Sequence, residues 1–234
     1  MKANQSPLTE STSRVQNVAR KRLSVGMVGL GLFIMVALII SSCSSVQPPA
    51  APGSGTTPVS ADPAPMNASP VLGPATAPVT IVEYGDFGCT TCLGWYKLGV
   101  LNQLRAKYGD QIRFVWRDFP VITALSPNAA EAGQCAQEQG KFWEFYNAVY
   151  QHNVAIEATD LQAYASDIGL NMAQFNDCVT SRRYQDRVNA ELHEGFARGL
   201  NGTPSFFVND QPVIGPQPLS AFASVIDPLL AAKK

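Results

Sequence analysis

Histidine is scarce in this chain, and charge is nearly balanced. Only two histidines, His152 and His193, occur in 234 residues, and 17 Lys plus Arg face 18 Asp plus Glu for a formal net charge of −1. A near-neutral chain lacks the basic surface that engages phosphates, which argues against a nucleic-acid binder. The two histidines have no ligand-type spacing and read as surface residues. A closed zinc site wants four ligands, usually as two close pairs, and the sequence offers one close pair, Cys89 and Cys92, with the other cysteines as distant singles. There is no internal repeat.

Charge is also missing from two particular stretches. Leu23–Ile40 has none, and it follows a segment in which Lys2, Arg14, Arg20, Lys21 and Arg22 oppose Glu10 alone. A positive flank before an apolar run reads as an export signal or a first membrane helix, here near the lower length limit for spanning a bilayer. Ile40-Ser41-Ser42-Cys43 then resembles the lipobox of bacterial lipoproteins, in which the signal is cut before the cysteine and that cysteine is lipidated. An uncleaved membrane anchor and cleavage to a soluble form are the alternatives. Residues 1–43 are thus the export segment, and the expected location is the extracytoplasmic face of the cell membrane.

Ser44–Pro78 contains a single charged residue, Asp62, and nine of the 17 prolines. Such a segment cannot bury enough apolar surface to offset its ordering entropy. Residues 44–77 read as an extended linker, able to reach on the order of 100 Å at ~3.1 Å per residue.

Periodic structure is expected from Pro78 onward. Val79–Tyr84 is β-branched and aromatic and reads as a strand. Helical spacing of Leu93, Tyr96, Val100, Leu101 and Leu104 predicts a helix from about Cys89 to Lys107. Ile112–Trp116 is a second strand. Ser126-Pro127, as N-cap and first helical residue, opens a helical block that runs to Ala197. Ser205–Val208 and Pro212–Ile214 form a hairpin around Asn209-Asp210, and Leu219–Leu230 is a closing helix. Strands and helices share one core, so the fold class is α/β with an all-helical insertion at about 121–199.

The cysteines carry the chemistry. Cys89-Thr90-Thr91-Cys92 falls where a strand-loop ends and a helix begins. A helix N-terminus offers unpaired N–H groups and partial positive charge, both of which favour the reactive thiolate. Cys89 is expected to be the exposed nucleophile and Cys92, one turn in, the shielded resolving thiol. If Cys43 carries lipid, Cys135 and Cys178 are left as a second pair, on different helices of the insertion. The expectation is a structural disulfide closing a loop of about 43 residues, worth ~2–4 kcal/mol; two free buried thiols are the alternative.

Four motifs, in order, carry a family resemblance: Tyr84-Gly85-Asp86-Phe87-Gly88-Cys89-Thr90-Thr91-Cys92, Arg117-Asp118-Phe119-Pro120, Gly140-Lys141-Phe142-Trp143, and Gly202-Thr203-Pro204-Ser205-Phe206-Phe207-Val208-Asn209. Together they resemble the DsbA-like thioredoxin-fold family of thiol–disulfide oxidoreductases. The resemblance implies a thioredoxin fold with an inserted helical domain and a cis Thr203-Pro204 bond beside the sulfurs. It implies that the Thr203 backbone pairs with a bound substrate strand. It assigns Glu83 as the acid behind Cys92 that shuttles its proton, while Asp86 reads as structural. No bound cofactor is required. The implied partners are cysteine-containing exported proteins and a membrane quinone-linked thiol oxidase that resets the enzyme. One departure stands out: strong oxidants of this family carry Pro-His between the cysteines, and this chain has Thr90-Thr91, with no cation to stabilise the thiolate.

Overall fold

The structure, a computed structural model, describes residues 69–232. The export segment, Cys43 and the linker up to residue 68 lie outside the described residues.

A five-stranded sheet runs β1(Val71–Leu72), β3(Ile112–Asp118), β2(Val79–Gly85), β4(Ser205–Val208), β5(Gln211–Ile214) in spatial order. Strand β2 lies at the centre, parallel to β3 and antiparallel to β4. A parallel pair needs a crossover, and α1(Thr90–Lys97) with α2(Val100–Tyr108) supplies it. The helical block comprises α3(Ser126–Glu138), α4(Phe142–Gln151), α5(Ala158–Asp167), α6(Met172–Thr180) and α7(Gln185–Ala197), and α8(Leu219–Ala231) closes the chain. This is a thioredoxin fold with a helical insertion, as the sequence indicated.

Three local expectations change. The folded domain begins before Pro78: Val71 and Leu72 pair antiparallel with Val115 and Phe114, and Trp116 donates its backbone N–H to Pro70. A two-residue strand among prolines is too short to show alternation. The single helix expected over Cys89–Lys107 is two, because Gly99 adopts φ 64°, a left-handed conformation that glycine takes at little cost and that ends the first helix. Finally, Ser126 is the first residue of α3 rather than its cap, and the Thr123 hydroxyl oxygen accepts the Leu125 and Ser126 N–H groups instead.

The sheet buries Ile81, Phe114 and Phe206 against Trp95, Leu104 and Phe222 from α1, α2 and α8. A second core joins the insertion to the loop before Cys89. Phe87 in that loop stacks on Trp116 (5.1 Å, 23°) and meets Phe145 edge-on (5.9 Å, 81°). Each such pair is worth ~0.5–1.5 kcal/mol beyond its area. A Cβ on Gly133 of α3 would come within 2.7 Å of the Phe87 ring, so the close approach requires glycine there.

A buried polar cluster completes the junction. Arg117 and Glu191 pair at 3.1 Å with 1% and 0% side-chain exposure, and Glu191 also accepts the Asp118 backbone N–H (2.7 Å). Asp118 in turn accepts from the Trp116 indole (2.7 Å) and from Gln134. Such a cluster is stable only when its members stay paired. It ties β3 to α7 and α3, which gives the Arg117-Asp118-Phe119-Pro120 motif its structural meaning.

Candidate active site

The loop Gly85–Gly88 is shaped by Asp86. One carboxylate oxygen accepts the Gly88 N–H (2.7 Å); the other accepts from Val121 (2.9 Å) and Ile122 (2.8 Å). Asp86 is therefore structural, binding the loop to the start of the insertion. Its carbonyl accepts the Cys89 N–H (3.0 Å) and sets the entry to α1.

Cys89 is the N-cap of α1, with extended backbone at φ −89°, ψ 114°. Its Sγ accepts the Cys92 backbone N–H at 3.2 Å and donates to the Thr203 carbonyl at 3.3 Å. These contacts bring together residues 114 apart in sequence. The Thr203-Pro204 peptide bond is cis, and Pro204 is buried at the head of β4.

The two thiols titrate apart. Hydrogen bonding from Cys92 outweighs the cost of burial and, with help from Thr203 and the Cys92 and Thr91 backbone, lowers Cys89 to about 6. The Thr203 hydroxyl has no other partner, so it is free to donate to the thiolate. Burial, the hydrogen bond to Cys89 and the Glu83 charge push Cys92 well above the ordinary thiol range. With these shifts Cys89 ionises first and Cys92 stays a thiol, and the bond from Cys89 to the Thr203 carbonyl belongs to the thiol form. One expectation fails: Cys89 is only 2% exposed, and it is Thr90 and Thr91 that face solvent. Its sulfur is covered by the Thr203 segment, which faces it from across the sheet end.

Glu83 sits in the middle of β2, aligned with Trp116 on one side and Phe206 on the other. It is fully buried, and neither carboxyl oxygen has a hydrogen-bond partner. Burial first, and the Cys89 charge second, raise it to about 8. An unpaired buried carboxylate is costly, so at pH 7 the group is a protonated acid beside Cys92.

The remaining site assignments separate cleanly. Cys135 on α3 and Cys178 on α6 form a disulfide with Cα atoms 5.9 Å apart, buried within the insertion. His152 and His193 are exposed. Among the described residues no cluster of metal-ligand side chains forms. Two residues absent from the predicted site, Tyr146 and Tyr150, both lie near Glu83 and Cys92, and the Tyr150 hydroxyl donates to the Asp86 carbonyl at 3.3 Å. The Tyr146–Tyr150 spacing of one helical turn was the available signal.

Comparison with known proteins agrees with this geometry. The family model described as Thioredoxin matches residues 66–228. A thioredoxin-like oxidoreductase from Silicibacter pomeroyi superposes with a TM-score of 0.62 at 27% identity, covering 72% of this chain and 96% of that one. Alpha-DsbA1 from Wolbachia pipientis gives 0.63 at 24% identity, covering 70% and 92%, and shares the fold. In sequence, the Na(+)/H(+) antiporter NhaA 1 of Mycolicibacterium gilvum is 37% identical over 150 residues, which cover 62% of this chain but 24% of the antiporter. The chain thus spans about a quarter of the length of the curated relatives it matches, and among the described residues no helix is long and apolar enough to cross a membrane.

Proposed function

The chain belongs to the thioredoxin family and is a thiol–disulfide oxidoreductase with the DsbA-like form of the fold; from that premise we propose that it works as a dithiol oxidase, introducing disulfides into exported proteins through Cys89 and Cys92. The observation that carries the reading is the split titration of the pair, about 6 for Cys89 against well above the ordinary range for Cys92.

In the cycle, a substrate thiolate attacks Cys89 of the Cys89–Cys92 disulfide. The S–S bond breaks, Cys92 leaves, and it takes the proton of Glu83. A second substrate thiolate then attacks the substrate sulfur of the mixed disulfide. Cys89 leaves as a thiolate, and two electrons have passed from substrate to enzyme. A low leaving-group pKa speeds this last step. In this reading the Thr203 backbone, already against Cys89, pairs with the substrate strand by β-addition. A membrane quinone-linked thiol oxidase is the partner that would return the pair to the disulfide. An extracytoplasmic site, with lipid on Cys43 or an N-terminal helix as anchor, would keep the domain near that partner.

A second reading, reductase or isomerase on the same scaffold, has its own support. A Cys89 value of about 6 is nearer the ~7 of thioredoxin than the ~3.5 of DsbA. Relative to an unshifted thiol, it stabilises the reduced form at pH 7 by only about 1.4 kcal/mol, or about 30 mV. The deciding experiment equilibrates the full chain in glutathione buffers and quantifies the Cys89–Cys92 peptide after alkylation. A potential near about −120 mV supports the oxidase, and one near about −270 mV transfers the site to the reductase reading. A reduced Cys89 that resists a small alkylating agent would remove both and leave a peptide-binding module.

A further inference from the structure

Reduction of the Cys89–Cys92 pair leaves a proton to be replaced. Once Glu83 has protonated Cys92 it is a carboxylate, fully buried and without a hydrogen-bond donor. Its strand neighbour Trp116 has its indole N–H committed to Asp118. Turnover requires a route by which Glu83 recovers a proton from solvent.

Three tyrosines gather beside the pair. Ring centroids lie 5.7 Å apart for Tyr96 and Tyr146, 4.7 Å for Tyr146 and Tyr150, and 5.2 Å for Tyr96 and Tyr150. Tyr150 spends its hydroxyl on the Asp86 carbonyl. Tyr146, one turn earlier in α4, is 2% exposed. Its ring meets Trp116 edge-on at 5.5 Å, and it lies in the fields of both Glu83 and Cys92. Tyr146 also lines a cavity of about 290 Å³ with Tyr96, Lys97, Gly99, Leu101, Asn102 and Asn147. Lys97, Asn102 and Asn147 are exposed at its rim, and the Lys97 ammonium is bonded to Asn153. A polar-rimmed space of this size holds several waters.

We propose that Tyr146 is a positioning residue that relays protons between water in this cavity and Glu83. The inference rests on the dithiol-exchange reading above. After Cys92 has been protonated, Glu83 takes the Tyr146 hydroxyl proton through an intervening water, while Tyr146 takes one from cavity water. The net change is one proton moved from solvent to Glu83, with no electron transferred, and oxidation of the pair runs the same path backwards. Burial raises the Tyr146 hydroxyl well above its ordinary value, so the two transfers are coupled and no tyrosinate accumulates. Tyr96, Tyr150, Cys89, Cys92 and Lys97 are the other titratable groups around the path.

Tyr146→Phe keeps the ring and removes only the relay. The test follows oxidation of the reduced full chain by oxidised glutathione in stopped flow, for wild type and variant, from pH 6.5 to 9.5, because in this direction Glu83 must shed its own proton before it can take that of Cys92. At pH 6.5 the variant is expected to be slower by about tenfold, less than the ~10²–10⁴ of a direct acid–base group, because water substitutes in part. The ratio should fall towards one at pH 9.5, where Glu83 is ionised before the reaction, and the equilibrium with glutathione should not change. Equal rates at every pH would overturn the relay, as would a slowing of the same size at all pH values, which marks a packing role. Failure of the wild type to exchange at all would instead reject the oxidoreductase reading.

Discussion

Replacing Glu83 by Gln should flatten the dependence of stability on pH. The group rises from 4.5 to about 8 on folding. Between those values the unfolded chain has released its proton and the folded chain still holds it. The folded state binds more protons, so stability falls as pH rises through this window and the loss is complete above the folded value. A shift of this size corresponds to at most about 5 kcal/mol. Gln keeps the shape but leaves an amide without partners, a roughly pH-independent cost of about 1–3 kcal/mol. Urea unfolding of the reduced protein at pH 5, 7 and 9 is the assay. The wild type should lose up to about 4 kcal/mol more than Glu83→Gln between pH 5 and 9. Asp118, also raised by burial to about 7, contributes equally to both proteins and cancels in the difference. In the disulfide form the Cys89 charge is absent, so the difference between the two proteins should shrink. Parallel profiles for the two reduced proteins would refute the argument that burial holds Glu83 protonated.

Cys89 alkylation should rise with pH around a midpoint of about 6, and Cys92→Ala should move that midpoint upward, since hydrogen bonding from Cys92 is the largest lowering influence; iodoacetamide rates against pH measure both. Thr203→Val should move it upward by a smaller amount without unfolding the protein, read by the same rates together with a thermal melt. Replacing Cys135 and Cys178 by Ala should cost ~2–4 kcal/mol in non-reducing urea unfolding while leaving the Cys89 midpoint in place. Gly85→Ala sets a Cβ within 2.2 Å of the Trp116 ring, and overpacking there should cost ~1–3 kcal/mol and disturb Trp116 beside Glu83, seen as a changed midpoint for Cys89.

Much of the protein was legible in one dimension. The alternation of Val79–Tyr84 and the run at Ser205–Val208 are short-range patterns, and strands formed at both. The placement of Cys89 at the head of a helix follows from the Gly85–Gly88 loop and the apolar spacing after it, so the sequence determined which cysteine caps α1. The pairing of Cys135 with Cys178 followed from counting cysteines and noting their separate helices. Each of these conclusions depends on neighbours within a few residues, or on composition alone.

Tertiary structure decided what depends on distant neighbours. The burial of Cys89 comes from Thr203, 114 residues away. The Glu83 carboxyl is raised because β3, β4 and the insertion close over it, which no local window records. Strand β1 exists because β3 offers an edge to Val71 and Leu72, whose own sequence reads as linker. Tyr146 becomes a proton-relay candidate only where α4 meets α1 and the sheet. Propensity and periodicity act along the chain, whereas desolvation and charge act through space, and space is set by packing.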